Sequence, residues 1–404
     1  MTGTQEILAL ALGGLVLLWL GLALYVLLTR VLHDAHAAVM HSARSVVERK
    51  IEAAAAGDEA ELRRLVRRLP RRALEGRAAD TATPEPVARA FAQHVLERYP
   101  ERVLRWAQST AKRHEWQRVR ALRILARANR LVAVPLLVQA TRDGDEHVRA
   151  AAVATLGSMR DRLAAIALVD VLREDRFSRS RVATQLDEFE LPIAHLLLPL
   201  LDDFDPQVRF WGATLLARYS DEEQVVLELA AATGDMDASV RAAAIQALSR
   251  SGRPAALGAA LALLDDPAWF VRARAARALR RFARPEVAAR LAPLLADEQW
   301  WVRDAAKDAL SAAGPQVAAV LASYLEHDDE FARNCAAEVL QNVGTLDAIL
   351  MDAVREPDDA EKVAAAARLV RAGGREVVDA SVKRLPREHA QALLQLADRL
   401  RDVG

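Results

Sequence analysis

One phrase recurs about every 31 residues beyond residue 85, and it constrains the fold of this 404-residue chain more than any other feature. An aspartate is followed, after a few residues, by an arginine that usually has a valine before it, and an alanine-rich stretch ending in leucine comes next. Successive arginines are 28 to 32 residues apart. They are Arg149, Arg181, Arg209, Arg241, Arg272, Arg303 and Arg333. A period of this length is typical of a helical solenoid, in which each unit packs only on its neighbours.

Each unit is predicted to contain two helices. The first is short and apolar, as in residues 257–264. An Asp or Asp-Pro turn follows, which favours a second helix because aspartate caps free N–H groups and proline fits the first turn. Alanine, leucine, arginine and glutamate are abundant, and all four are strong helix formers. We therefore expect an all-α protein in which residues 87–404 form an α-solenoid of about ten units.

The Asp-x-x-x-x-Val-Arg phrase, repeated in register, resembles HEAT repeats, in particular the short variety also found in phycobilisome lyase-type proteins. The resemblance covers residues 88–402. It implies a solenoid of paired helices. It also implies that the recurrent arginines form an internal ladder with aspartates in the turns of adjoining units. HEAT arrays serve many roles, so the function has to be inferred from particular sites.

Residues 7–28 form an uncharged, strongly apolar stretch near the N-terminus. As a helix, these 22 residues would be roughly 33 Å long, which is enough for the ~30 Å hydrocarbon core of a membrane. Basic residues are concentrated on the C-terminal side, which the positive-inside rule assigns to the cytoplasm. We expect residues 1–30 to be a single-pass anchor in a bacterial inner membrane, with the N-terminus outside and the solenoid in the cytoplasm. The single cysteine, Cys335, agrees with a reducing compartment.

Residues 31–86 lack the repeat phrase and are predicted to form a basic helical stalk that ends in a linker at residues 76–86. Residues 44–72 are rich in arginine, and two interpretations remain open: contact with anionic lipid, or a solvated stalk. Three histidines follow the apolar stretch: His33, His36 and His41. Metal binding would require further ligands, so polar residues at the level of the lipid headgroups are the better interpretation.

Known catalytic motifs are missing from the sequence. It contains no phosphate-binding P-loop, no Gly-x-Gly-x-x-Gly and no His-Glu-x-x-His. One HEAT-repeat enzyme, deoxyhypusine hydroxylase, holds a metal pair with repeated His-Glu motifs, but this chain has a single such pair, His114-Glu115. We therefore expect no catalytic residue, no metal and no cofactor.

Large aromatic residues recur at equivalent repeat positions, two or three residues before the arginine of the phrase. They are Phe270, Trp301 and Phe331 in one column, and Trp269 and Trp300 in another. A further pair, Phe210 and Trp211, directly follows Arg209. Equivalent positions of a solenoid stack side by side, so an aromatic stripe is predicted. Tryptophan is a favoured anchor of protein interfaces, which favours partner binding; packing between repeats is the alternative.

The helix that begins at Trp269 continues as a basic stretch. Six arginines lie between residues 272 and 284 with no acidic residue among them. Arg277, Arg281 and Arg284 are predicted to share one face of this helix. An acidic loop of a partner protein or a lipid headgroup could bind there.

These features favour an interaction scaffold that binds a membrane or membrane-proximal protein partner at the cytoplasmic face of the inner membrane. The first alternative is an enzyme, or enzyme subunit, of the bilin lyase-like class, which is supported only by the type of repeat. Nucleic-acid binding is a weaker alternative, because a net charge of zero provides no global attraction for phosphates.

Overall fold

The computed structural model describes residue 30 and residues 48–109, 114–282, 284–384 and 386–402. These residues lie in helices or in the turns between helices, and none of them is in a strand. They belong to two compact units, Met1–Met159 and Arg160–Gly404, each of which is described by itself. The prediction of an all-α protein is confirmed for this part of the chain.

The described part of the first unit starts with a helical stretch at residues 48–55, and further helices follow. They are α1 (Glu59–Arg68), α2 (Arg71–Ala79), α3 (Glu85–Arg98), α4 (Pro100–Ala107), α5 (Glu115–Ala128), α6 (Arg130–Ala140) and α7 (Glu146–Met159). α3 packs on α5, and α5 packs on α7. Phe91 of α3 and Ile124 of α5 are fully buried.

The second unit is a series of helical hairpins. Its helices are α8 (Arg162–Arg173), α9 (Arg179–Asp187), α10 (Ala194–Leu197), α11 (Pro206–Leu216), α12 (Glu223–Ala232), α13 (Ala238–Leu248), α14 (Pro254–Ala262), α15 (Trp269–Leu279), α16 (Pro285–Leu291), α17 (Trp300–Ala312), α18 (Ala318–Leu321), α19 (Glu330–Asn342), α20 (Thr345–Arg355), α21 (Ala360–Arg384) and α22 (Arg387–Asp402). Each even-numbered helix from α8 to α20 pairs with the odd-numbered helix that follows it. The second helices of consecutive hairpins, from α9 to α21, pack directly on one another.

The repeat phrase explains how each hairpin forms. Asp205, Asp237 and Asp329 accept hydrogen bonds from backbone N–H groups in the first turns of α11, α13 and α19. The valine of the phrase points into the core, where it is fully buried in four successive hairpins: Val208, Val240, Val271 and Val302. Full burial of one such side chain contributes about 1.5–3 kcal/mol relative to its exposure.

The predicted boundary between stalk and solenoid does not match the packing. α2, which the sequence assigned to the stalk, packs against α3 and α5. Its Leu74 and Ala78 are buried, and so is Glu75. Residues 71–79 therefore belong to the packed part of the first unit, because the burial of α2 outweighs a local composition that is typical of a linker.

Of the two interpretations of residues 44–72, contact with anionic lipid gains no support from the described residues, where basic side chains pair with acidic neighbours. Arg63 lies 3.6 Å from Glu59, Arg64 lies 3.4 Å from Glu61, and Lys50 lies 3.2 Å from Glu61. Exposed pairs of this kind contribute only about 0–1 kcal/mol to stability. Each pair places a negative charge beside a cation, which lowers the positive potential that this cation offers to a lipid headgroup.

The expected location in a bacterial inner membrane is contradicted and is withdrawn. Within the described ranges, no helix is both long enough and apolar enough to cross a bilayer. α21 has 25 residues, but charged side chains occur along its whole length. Residues 7–28, predicted as the anchor, and the three histidines at positions 33, 36 and 41 lie outside the described residues.

Candidate functional site

An arginine–aspartate ladder runs along the turns of the second unit. Three arginines of the phrase each donate hydrogen bonds from Nε and Nη2 to the two carboxylate oxygens of an aspartate 25 or 26 residues ahead. The pairs are Arg209 with Asp235, Arg241 with Asp266 and Arg272 with Asp297, at 2.6–2.9 Å. The Nη1 of each arginine donates to backbone carbonyls of its own turn, as Arg241 does to Asp235 O at 2.9 Å. We call each such arginine with its aspartate a closed rung.

The closed rungs remain charged. Burial raises the pKa of Asp266, but the hydrogen bonds from Arg241 and from the Ala268 N–H outweigh it and hold the pKa below its ordinary value. The same balance of burial and hydrogen bonding lowers the pKa of Asp235. The hydrogen bond to Asp266 also raises the pKa of Arg241. Bidentate charged pairs restrict geometry as well as adding energy, so these rungs hold adjacent hairpins in register.

In the first hairpin of the second unit, an arginine outside the predicted set binds a turn aspartate. Arg179 donates to Asp205 at 2.6 Å, whereas the guanidinium of Arg181 lies 5.5 Å from the centre of the Phe177 ring. Arg179 is the first residue of α9, and residues two apart on a helix face different directions. With Arg179 in the ladder, the spacing to the preceding and following arginines becomes 30 residues on both sides.

The first unit contains the same kind of contact. Arg118, which lies outside the predicted set, donates to the carboxylate of Asp143 at 3.2 Å. Arg149, which was predicted, donates to the backbone carbonyl of Asp143 at 2.7 Å. The turn at Asp143 thus joins α5 to α7 through one arginine from each helix.

The ladder changes at the last two predicted arginines. Arg303 and Arg333 keep the Nη1 hydrogen bonds to carbonyls of their own turns, at 2.7–3.2 Å. Within the described residues, however, their Nε and Nη2 atoms have no acceptor. In the turn after Arg303, His327 occupies the position of the ladder aspartate, and its Nδ1 accepts the Asp329 N–H at 3.0 Å. We call Arg303 with His327 the open rung.

Four large aromatic side chains are exposed at or near the starts of α15, α17 and α19. We call them the aromatic edge: Trp269 (40% exposed), Trp300 (55%), Trp301 (53%) and Phe331 (59%). Trp300 and Trp301 contact each other edge to face, with ring centroids 4.7 Å apart. Packing between repeats would bury these rings, as it buries the neighbouring Val302. Their exposure therefore favours an interaction surface.

The other three predicted aromatic residues are half-buried, and two of them lie apart from this edge. Phe270 contacts Trp269 edge to face at 5.8 Å, and its ring centre is 6.0 Å from the guanidinium of Arg274. Phe210 and Trp211 contact each other at 5.2 Å within α11. Because α13 lies between α11 and α15 in the stack, the structure does not bring these two residues to the aromatic edge.

Sequence reasoning missed two exposed apolar side chains. Phe204 is 100% exposed and Met236 is 98% exposed, each at the tip of the turn inside a hairpin. Both occupy the middle of an Asp-x-Asp turn, in which the aspartates bind the backbone and the central side chain points outwards. An apolar residue in such a turn is the signal that could have identified them.

α15 ends at Leu279, so the arginines of the predicted basic face lie at its end and just beyond it, and they do not share one helix face. We call the four exposed arginines here the basic cluster: Arg277, Arg280, Arg281 and Arg284. None of them has a carboxylate partner within the described part of the chain. Positive charge without nearby acids attracts acidic partners and increases the rate at which they associate.

The described residues contain no cluster of three or more His, Cys, Asp or Glu side chains that could hold a metal ion. The two residues of the His-Glu pair have different neighbours: the Nδ1 of His114 lies 3.2 Å from Ser109 Oγ, while a hydrogen bond with Asp145 raises the pKa of Glu115.

Cys335 is half-buried, and burial raises the pKa of its thiol. A raised pKa makes this thiol a poorer nucleophile at neutral pH.

The hairpins and their ladder define an α-solenoid, in which paired helices stack in one direction. HEAT repeats match residues 101–186, 193–280 and 259–341, which together are more than half of the chain. The chain belongs to the HEAT-repeat family. The whole aromatic edge lies within the third of these matches.

Solved structures show more distant likenesses. An engineered protein is 19% identical, over 80% of this chain and 98% of that chain, with a TM-score of 0.38. Importin beta is 15% identical, over 87% of this chain and 51% of that chain, with a TM-score of 0.39. Human deoxyhypusine hydroxylase is 21% identical, over 64% of this chain and 99% of that chain, with a TM-score of 0.27. No curated protein sequence matches the chain.

Proposed function

We propose that this HEAT-repeat protein is an interaction scaffold and that its aromatic edge binds a partner protein. The observation that carries the proposal is the exposure of four large aromatic side chains on three consecutive second helices. Covering such side chains removes apolar surface from water, which contributes roughly 25 cal/mol for each Å² buried. Tryptophan is also enriched among the residues that carry most of the binding energy of protein interfaces.

The basic cluster extends this surface. α15 begins with Trp269 and ends close to Arg280, so one helix presents an apolar contact at its start and positive charge at its end. A partner with an apolar anchor and acidic side chains nearby complements both features. The charges act mainly on the rate and specificity of association, and the aromatic rings on the lifetime of the complex. No described residue favours the bilin lyase-like or nucleic-acid alternatives over this function.

Partner capture by the full chain tests the proposal. The tagged chain is incubated with extract of the cells that produce it, cross-linked, and analysed by quantitative mass spectrometry. The test variant combines Trp300→Ala with Trp301→Ala. The matched control is Trp116→Ala, because Trp116 is 68% exposed in the first unit and lies outside the aromatic edge. Far-UV circular dichroism verifies that both variants keep the helicity of the unaltered chain.

We expect at least one captured protein to fall roughly ten-fold or more with the double variant, since interface tryptophans commonly contribute 2 kcal/mol or more. The same protein should remain with the Trp116→Ala control. Capture should also fall when Arg277→Glu is combined with Arg281→Glu. This loss should be larger at low salt than at high salt, because salt screens charges at the surface. Equal recovery with the unaltered chain and the tryptophan double variant would refute the aromatic edge as the binding surface.

A further inference from the structure

A comparison of equivalent positions in consecutive hairpins identifies the residue at which the ladder is interrupted. In four consecutive hairpins, the arginine of the phrase donates Nη1 to the carbonyl of an aspartate six residues before it. These aspartates are Asp203, Asp235, Asp266 and Asp297. In the next hairpin the same bond goes from Arg333 to the carbonyl of His327. His327 therefore replaces a ladder aspartate, and its imidazole, with Nδ1 engaged by the Asp329 N–H, offers no carboxylate to Arg303.

Arg303 is nevertheless held as the arginines of the closed rungs are held. Its Nη1 donates to the carbonyls of Asp297 and Glu298 at 2.7 and 3.2 Å, and the matching bonds of Arg241 are 2.9 and 3.2 Å. The face of its guanidinium lies over the Phe331 ring, with the central carbon 4.6 Å from the ring centre. Stacking on an aromatic ring leaves the edge of a guanidinium available for a second, bidentate contact.

The surroundings of the open rung restrict what can bind there. Trp300 and Trp301 are exposed one helical turn or less before Arg303, and Phe331 is exposed beneath it. Glu298 and Glu330 are exposed at the adjoining turn and helix start. These acids repel a polyanion such as a nucleic-acid strand, whereas a single carboxylate among apolar groups meets the guanidinium edge and the rings together.

We propose that Arg303 binds the side-chain carboxylate of an aspartate or glutamate in an extended segment of a partner protein, so that the partner completes the open rung. Apolar residues beside that carboxylate pack on Trp300, Trp301 and Phe331. This inference rests on the proposed function, because it names the chemistry of the partner that the aromatic edge receives. The bidentate grip on the incoming carboxylate is the one that Arg209, Arg241 and Arg272 use within the chain.

A random dodecapeptide library displayed on phage tests this assignment on the full chain. Selected peptides are synthesised, labelled with fluorescein and titrated by fluorescence anisotropy. Two variants alter the open rung in opposite ways: Arg303→Gln removes the guanidinium, and His327→Asp supplies an internal carboxylate that competes for it. The control is His195→Asp, the same substitution at an exposed histidine of α10. The Trp300→Ala, Trp301→Ala double variant separates this inference from the proposed function.

We expect the selected peptides to share an acidic residue flanked by large apolar ones. Their Kd should rise roughly ten-fold or more with Arg303→Gln, with His327→Asp, and when the shared acid is replaced by its amide, since charge-assisted hydrogen bonds are the strong ones. His195→Asp should leave the Kd unchanged. His327→Asp should also raise the urea midpoint of the second unit, which shows that the variant folds and that the rung has closed.

Two results would overturn the inference. Selected peptides without a shared acid, or failure to select any peptide, would mean that the open rung receives no carboxylate from a partner. Peptides that bind His327→Asp as tightly as the unaltered chain would lead to the same conclusion. If the selected peptides lack a shared acid but the Trp300→Ala, Trp301→Ala double variant abolishes their binding, the proposed function stands without this inference. If that variant leaves their binding unchanged, both the inference and the proposed function fail.

Discussion

The closed and open rungs predict a difference in stability between two otherwise matched substitutions, Arg241→Met and Arg303→Met. Both arginines begin in comparable environments: each is half-buried and donates Nη1 to two backbone carbonyls of its own turn. Methionine keeps an unbranched apolar chain of similar length, so most of the packing of the arginine stem is preserved. The two arginines differ in two respects: Arg241 alone binds a carboxylate, and Arg303 alone stacks on an aromatic ring.

The structure sets the size of the expected difference. Arg241 donates to Asp266 at 2.7 and 2.9 Å, and the side chain of Asp266 is only 4% exposed. Arg241→Met therefore removes two charge-assisted hydrogen bonds and leaves a buried carboxylate without its cation, which costs about 3–5 kcal/mol. Arg303→Met removes hydrogen bonds to neutral carbonyls and one contact with an aromatic ring, which costs about 1–2 kcal/mol. The difference should be about 2–3 kcal/mol.

Urea unfolding of the full chain, followed by circular dichroism at 222 nm, measures both losses. Because the two substitutions lie in the second unit, they are compared within the same transition. Arg280→Met is the control, since Arg280 is exposed and outside the ladder. Its effect should be below about 0.5 kcal/mol, as is usual for surface substitutions. Losses for Arg241→Met and Arg303→Met that agree within about 0.5 kcal/mol would refute the view that carboxylate pairing, and not the carbonyl contacts, supplies the stability of a rung.

Two further predictions concern acid and a close helix contact. The pKa values of Asp235 and Asp266 lie below the ordinary value of about 4, so their contribution to stability is present above that pH and is lost as the pH falls through the folded-state pKa. The urea midpoint should therefore stay constant between about pH 5 and 7 and decrease below about pH 4. The decrease should be less steep in Asp266→Asn. A midpoint that instead decreased between about pH 5 and 7 would contradict the lowered pKa of these aspartates. Gly212→Ala should destabilise by about 1–3 kcal/mol, because its Cβ would lie 2.7 Å from Leu200 Cβ, whereas Gly258→Ala, in an open helical position, should be neutral or stabilising by up to about 1 kcal/mol. Thermal unfolding of the two glycine variants compares them directly, and equal shifts would disprove the close contact.

Much of the fold could be predicted because its determinants are local and repeated. The Asp-x-x-x-x-Val-Arg phrase places a turn aspartate, a buried valine and an alanine-rich helix next to one another, and the structure has them at Asp235, Val240 and the body of α13. Three arginines with a complete phrase, Arg209, Arg241 and Arg272, bind the aspartate ahead of them, whereas Arg303 has a complete phrase and binds only backbone carbonyls. One hairpin has arginines at both 179 and 181, and the structure adds Arg179, the first residue of α9, as a partner of Asp205.

Whether a feature could be predicted from the sequence or only seen in the tertiary structure depends on the range of the interactions that fix it. The sequence by itself determined the all-α class, the period of the hairpins and the identity of the aromatic residues, because these depend on patterns within about 31 residues. Only the tertiary structure decided that α2 is packed, that four of the aromatic side chains are exposed, and that Arg303 lacks the carboxylate its counterparts bind. Exposure and pairing depend on distances between side chains some 25 residues apart, which are fixed only when one hairpin packs on the next.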